Sequence, residues 1–155
     1  MTENIVQAGP LKLRVVPGWP NLPEGWDLVE VAGVAVDSKG RVYVFNRGEH
    51  PMVIFDADGS FIESWGEGTF TRAHNVFVGP DDAVWAVDVG DHTVRKYTPH
   101  GELLMTIGTP GVPSDTGATT DYRTINHGGP PFYQPTKAVL NADGEIFVSD
   151  GYMNA

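Results

Sequence analysis

Cysteine is absent, which excludes disulfides and thiolate metal sites. Any bound metal would have to be held by imidazole, carboxylate or carbonyl groups. Basic residues are scarce: 10 Lys and Arg stand against 20 Asp and Glu, for a formal charge of −10. A phosphate backbone is repelled by that balance, so nucleic acid is not an expected partner. No apolar stretch approaches the roughly 18 residues of a membrane span, so no membrane partner is expected either. The opening Met1-Thr-Glu-Asn-Ile-Val-Gln-Ala8 has no basic run followed by an apolar one, the pattern of a secretory leader. A cytoplasmic location is the expectation, although a chain without cysteine fits any compartment. Amphipathic runs of ten or more residues, which helices would need, are also missing.

What the chain does contain is glycine (19) and proline (12), set between short runs rich in Val, Ile, Phe and Tyr. Those runs repeat. Residues 34–66 align without a gap on 76–108, with identities at Val34/Val76, Val36/Val78, Val42/Val84, Gly48/Gly90, His50/His92, Gly59/Gly101 and Gly66/Gly108. Aromatics correspond at Tyr43/Trp85 and Phe55/Tyr97. A third copy begins at Lys137-Ala-Val-Leu-Asn-Ala-Asp-Gly-Glu-Ile-Phe-Val-Ser-Asp150 and reaches Ala155 about halfway through the unit.

Within the first unit, Gly33–Val36, Arg41–Asn46, Met52–Phe55 and Ser60–Trp65 read as four strands. The turns between the first and second and between the third and fourth are Asp37-Ser-Lys-Gly40 and Asp56-Ala-Asp-Gly59. Four strands in a unit of about forty residues is the pattern of a propeller blade. The chain therefore reads as an all-β protein, a β-propeller of about two and a half four-stranded blades. Its expected divisions are an arm over 1–30, blade one over 31–66, blade two over 74–108, a long connection over 109–131, and the start of blade three over 132–155. The arm holds one extra strand near Leu11–Val16 and an irregular Pro-rich stretch, Gly18-Trp-Pro-Asn-Leu-Pro23. Propellers close with about four to eight blades. The expectation is thus that further blades come from a longer chain or a second subunit, and that the piece alone is prone to aggregate.

Polar residues gather where a propeller face would present them: Asn46-Arg-Gly-Glu-His50, Arg72-Ala-His-Asn75, Asp88-Val-Gly-Asp-His92 and Ser149-Asp-Gly-Tyr-Met-Asn154. His50 and His92 occupy equivalent repeat positions, which points to a structural role. Asp88 and Asp150 also share one position and read as turn or inter-blade hydrogen-bonding residues. His127 lies in a Gly-rich loop with no evident partner.

Together the strings GVAVDSKGRVYVFNRGEH, AHNVFVGPDDAVWAVDVGDHTVRKYTPHG, FYQPTKAVLNADG and IFVSDGYMNA resemble successive parts of the NHL-repeat peptidyl-α-hydroxyglycine α-amidating lyases, in their bacterial-type form. The likeness runs from about Val31 to Ala155. It implies a six-bladed propeller with a metal on its axis. It also implies cleavage of a carbinolamide C–N bond at a peptide terminus, giving an amide and glyoxylate. Arg47 and Tyr152 match the family's catalytic pair, with Tyr152 the base for the substrate hydroxyl. His74 matches one of three Zn2+ ligands, and the backbone carbonyls of Val34 and Val76 match part of a Ca2+ site. A phenol titrates near ~10 unperturbed, so a Tyr base needs a nearby cation, and Arg47 stays protonated throughout.

Departures accompany the likeness. Asn75 stands where the family has a small glycine, and Met153 where animal members have a cysteine. The family's other zinc histidines belong to later blades, so activity is expected only when those blades are supplied. Two other functions compete. One is a non-enzymatic NHL-repeat propeller that binds a protein or ligand, since this fold hosts many roles. The other is a calcium-dependent propeller hydrolase or lactonase, which relies on carboxylate and Asn ligands that these motifs match less well.

Overall fold

The computed structural model describes residues 5–154. The opening tetrapeptide of the leader reading, and Ala155 in the third repeat copy, lie outside those residues. Twelve strands, β1 to β12, and one 3-10 turn make up the regular structure of the described residues. The chain is all-β, with its sheets arranged as an open arc of propeller blades.

A hairpin of β1 (Ile5–Ala8) and β2 (Leu11–Arg14) precedes the blades. The extra strand expected near Leu11–Val16 is β2, two residues shorter; its partner β1 was not anticipated. Blade one consists of β3 (Gly33–Val36), β4 (Val42–Phe45), β5 (Met52–Phe55) and β6 (Phe61–Trp65), antiparallel in that order. Blade two repeats it with β7 (Ala73–Val78), β8 (Val84–Asp88), β9 (Thr93–Tyr97) and β10 (Leu103–Ile107). The inner hairpin of a third sheet follows as β11 (Pro135–Leu140) and β12 (Ile146–Asp150).

Alternation along each strand gives every blade two different faces. In blade one, Tyr43, Phe45, Met52 and Ile54 point toward blade two, where Val76, Val84, Ala86 and Tyr97 meet them in one core. The opposite face of blade two carries Phe77, Trp85, Val87 and Val94, which pack on Ala138, Leu140, Ile146 and Val148 of the third sheet. The same repeat positions thus make the same kind of contact twice. At the two ends of the arc these faces are open. Val34 and Val36 are exposed at one end, Val139 and Phe147 at the other.

Close approach of the inner strands fixes one glycine. A Cβ on Gly33 would lie 2.9 Å from the Val76 nitrogen, so β3 and β7 converge only because that position lacks a side chain. The Pro-rich arm packs on the outer half of blade one. Trp19, Leu22 and Leu28 cover Val44, Val53 and Phe55, and the Asn21 amide donates to the Gly59 carbonyl at 2.9 Å. The arm leaves Val34 and Val36 uncovered.

Candidate functional site

The site grows from one repeated device at the end of each blade's second strand. There stand Asn46, Asp88 and Asp150, all at the same repeat position. Asp88, fully buried, accepts the Thr71 amide at 2.6 Å and the Arg72, Gly90 and Asp91 amides at 2.8, 2.8 and 3.2 Å. Asp150 accepts the Tyr133 amide on both oxygens, at 3.0 and 2.9 Å. Asn46 accepts the Gly48 amide at 2.8 Å and the Val29 amide at 3.4 Å. Each side chain therefore ties the approach to the innermost strand to the loop after the second strand. Asp88 and Asp150 are hydrogen-bonding residues that fix loop backbone.

Residues beside the clamp change chemistry from blade to blade while the scaffold stays. The approach position is Glu30, then Arg72, then Gln134. Three of the residues beside these clamps, Arg72, Gln134 and Tyr152, join Arg47, His74, Val89 and Gly90 in lining a cavity of about 480 Å3. All three polar side chains singled out in the sequence, Arg47, His74 and Tyr152, face it, although they come from three different repeats.

His74 lies inside β7. The pairing of β7 with β8 slips between Ala73 and Asn75, leaving His74 as the extra residue of a bulge, a device that re-aims a side chain. The third sheet slips at the equivalent place, between Pro135 and Lys137. His74 Nδ1 sits 2.8 Å from the Thr136 carbonyl, which can only accept, so Nδ1 carries the proton and Nε2 is left as an acceptor. Nε2 faces the Tyr152 hydroxyl at 3.4 Å.

Tyr152 is held from behind by the long connection. The Thr116 hydroxyl donates to the Met153 carbonyl at 2.9 Å, and Gly129 exchanges hydrogen bonds with the Asn154 amide at 2.9 and 2.7 Å. The phenol itself is half exposed toward the cavity.

Arg47 is oriented by two acceptors, the Ala73 carbonyl at 3.0 Å and Glu30 at 2.6 Å. That hydrogen bond and the charge of Arg47 hold the Glu30 carboxyl below the usual carboxylate range. Arg47 and Tyr152 share the cavity, but no hydrogen bond joins them among the described residues. The cation expected to assist the phenol is instead paired with a carboxylate, and the direct neighbour of the phenol is an imidazole.

Arg72 and Gln134 are the lining residues that motif reading did not select. The signal for them is the register: each sits 42 or 62 residues beyond a counterpart in the preceding unit. The Gln134 backbone has φ 70°, and its amide donates to His92 Nδ1 at 3.2 Å. Burial lowers the His92 pKa below its usual 6.5, outweighing the opposing pull of Asp91, Asp150 and Asp88. The neutral ring is thus the native form. Stability from this site is complete above about 6.5 and is lost as pH falls from there through the lower folded value. Acid titration of the melting temperature is expected to show that loss. His92→Asn, which keeps an acceptor and suits the φ of 64°, should flatten it. An unchanged slope would refute the assignment.

His74 is oriented as a metal-binding imidazole would be, with Nδ1 donating to the Thr136 carbonyl and the Nε2 lone pair toward the Tyr152 hydroxyl. No group of three His, Asp or Glu converges among the described residues, so these residues do not make a zinc site by themselves. Val34 and Val76 lie on strands that converge at Gly33, but Ca2+ takes six to eight oxygens and no acidic cluster adjoins them. The residues present do not hold either ion unaided.

No protein-family model matches the chain. Human NHL repeat-containing protein 3 is 32% identical over 148 residues, which cover 89% of this chain and 39% of that protein. Peptidyl-alpha-hydroxyglycine alpha-amidating lyase 1 of Drosophila melanogaster is also 32% identical, over 107 residues covering 67% of this chain and 17% of that protein. This chain is a homologue of the NHL-repeat proteins and the amidating lyases. Such an NHL-repeat chain spans about two fifths or less of the length of these relatives. Among solved structures, virginiamycin B lyase from Staphylococcus aureus superposes with a TM-score of 0.53 at 15% identity, covering 79% of the NHL-repeat chain and 35% of that chain. At that identity the likeness concerns the fold.

Proposed function

We propose that the chain supplies one wall of the active site of a carbon–nitrogen lyase that splits a carbinolamide, an N-acyl-α-hydroxyglycine, into a primary amide and glyoxylate. One observation carries the reading. Arg47, His74 and Tyr152, each matched to a lyase motif, come from three separate repeats and line the same cavity, with the imidazole and phenol 3.4 Å apart.

The reaction needs a group that removes the hydroxyl proton, so that the C–O bond becomes a carbonyl as the C–N bond breaks and the departing amide nitrogen takes up a proton. No water is consumed. Tyr152 supplies the oxygen for the first step, with His74 Nε2 lying 3.4 Å from its hydroxyl. Arg47, bound to Glu30 and the Ala73 carbonyl, contributes a fixed cation at the rim. Zn2+ and Ca2+ belong to this reading as well. His74 is the zinc-type residue, Val34 and Val76 the calcium-type carbonyls, with the remaining ligands from outside this chain. A cytoplasmic site of action is part of the same proposal.

The native-length protein, purified from its own cells so that any metal is retained, is expected to release glyoxylate from N-benzoyl-α-hydroxyglycine faster than buffer does. Release at the buffer rate would remove the lyase reading. It would favour the reading as a non-catalytic NHL-repeat propeller that binds a protein or ligand.

A further inference from the structure

The cavity is cationic in an acidic chain. Its lining contains two arginines and one histidine and no carboxylate, although the chain carries a charge of −10. Two of the three basic groups are already engaged. Arg47 is bound to Glu30, and His74 to the Thr136 carbonyl. The Arg72 guanidinium has no hydrogen bond and no ion pair among the described residues. The carboxylate that feels its charge, Glu30, is committed to Arg47.

The backbone beneath Arg72 is built to present it. Its amide is bound by Asp88 at 2.8 Å, and its carbonyl accepts the Val89 amide at 3.1 Å. Gly90 closes the arrangement, since a Cβ there would lie 2.8 Å from Thr71 Cγ2 and 2.9 Å from Arg72 Cβ. The loop after β8 therefore packs flat against Arg72, which lines the open cavity. At the same repeat position blade one has Glu30 and the third sheet has Gln134, so the scaffold is kept while this blade alone supplies a free cation.

We propose that Arg72 is a specificity residue that binds the free carboxylate of the ligand, so that the site selects small N-acyl amino acids ending in a carboxylate over their esters and amides. A planar guanidinium with five donors matches a carboxylate in a two-point hydrogen bond. Gln134, across the same cavity, offers an amide to the same end of the ligand. The choice of N-acyl-α-hydroxyglycine as the reacting member of that class rests on the lyase reading; carboxylate selection itself does not.

Calorimetric titration of the native-length protein with hippurate (N-benzoylglycine), which lacks the hydroxyl and cannot react, separates the two. Hippurate is expected to bind at least about tenfold more tightly than its methyl ester, in line with one charge-assisted hydrogen-bonded pair. Arg72→Gln should erase that preference, and Arg72→Lys should restore part of it; circular dichroism of both variants checks the fold. Equal binding of acid and ester, no binding of hippurate, or an unchanged preference in Arg72→Gln would overturn the proposal. If hippurate binding depends on Arg72 while no glyoxylate is released from the hydroxylated analogue, the anchor stands and the lyase reading fails. If glyoxylate is released and hippurate binding ignores Arg72, the reverse holds.

Discussion

Replacing Asp88 by alanine is expected to lower the unfolding free energy by about 3 kcal/mol or more, because several backbone donors lose a charged acceptor at once. The carboxylate is fully buried and gathers four amides, from Thr71, Arg72, Gly90 and Asp91. The position is fully buried, and each donor left unsatisfied costs about 1–3 kcal/mol. For a domain of this size the loss corresponds to a fall in Tm of roughly 6 to 12 °C, measurable by calorimetry. Asp88→Asn should lie between, since blade one uses Asn46 at this position. There the amide nitrogen has acceptors, the His50 and Pro51 carbonyls at 2.8 and 3.2 Å, whereas around Asp88 every partner is a donor. A variant Asp88→Ala that melts with the parent would show that the clamp does not hold the loop.

At Tyr152 the expected effect is on rate. Under the lyase reading, Tyr152→Phe removes the oxygen that receives the substrate proton, and positioned proton transfer contributes about 10^2 to 10^4 in rate. The variant should lose glyoxylate release by that factor. Its fold should change little, because the phenol is half exposed and its hydrogen bond to His74 is long at 3.4 Å. Hippurate binding, which the anchor at Arg72 governs, should be retained. A Tyr152→Phe protein that turns over at the parental rate would leave an unassigned group as the base.

Much of the architecture was legible in the residues. Gapless alignment of 34–66 on 76–108 reported both the blade unit and its register, and the strands from Gly33 and Met52 begin where their apolar runs begin. The hairpin partner Ile5–Ala8 was not legible, because both strands of that hairpin are exposed and carry no burial alternation to read. His74 was found as a residue but not as a bulge, since a slipped register leaves no mark in composition. Arg72 and Gln134 lie within the quoted strings but received no role there. They become visible only when equivalent positions are known to converge at one end of the blades, and that convergence is a property of the arc rather than of any single repeat. The Arg47–Glu30 pair was missed for the same reason: Glu30 lies 17 residues upstream, at the same approach position in blade one.

The two open faces of the arc are unlike one another, Val34 and Val36 at one end and Val139 and Phe147 at the other. Inside the chain, the surface of the first kind always receives the surface of the second. Contacts between copies that followed this rule would be tail-to-head and without a twofold axis. Such addition either bends round into a ring or continues as a fibre. Poor solution behaviour of the isolated arc should accordingly show as a ladder of sizes under crosslinking rather than as a single dimer band.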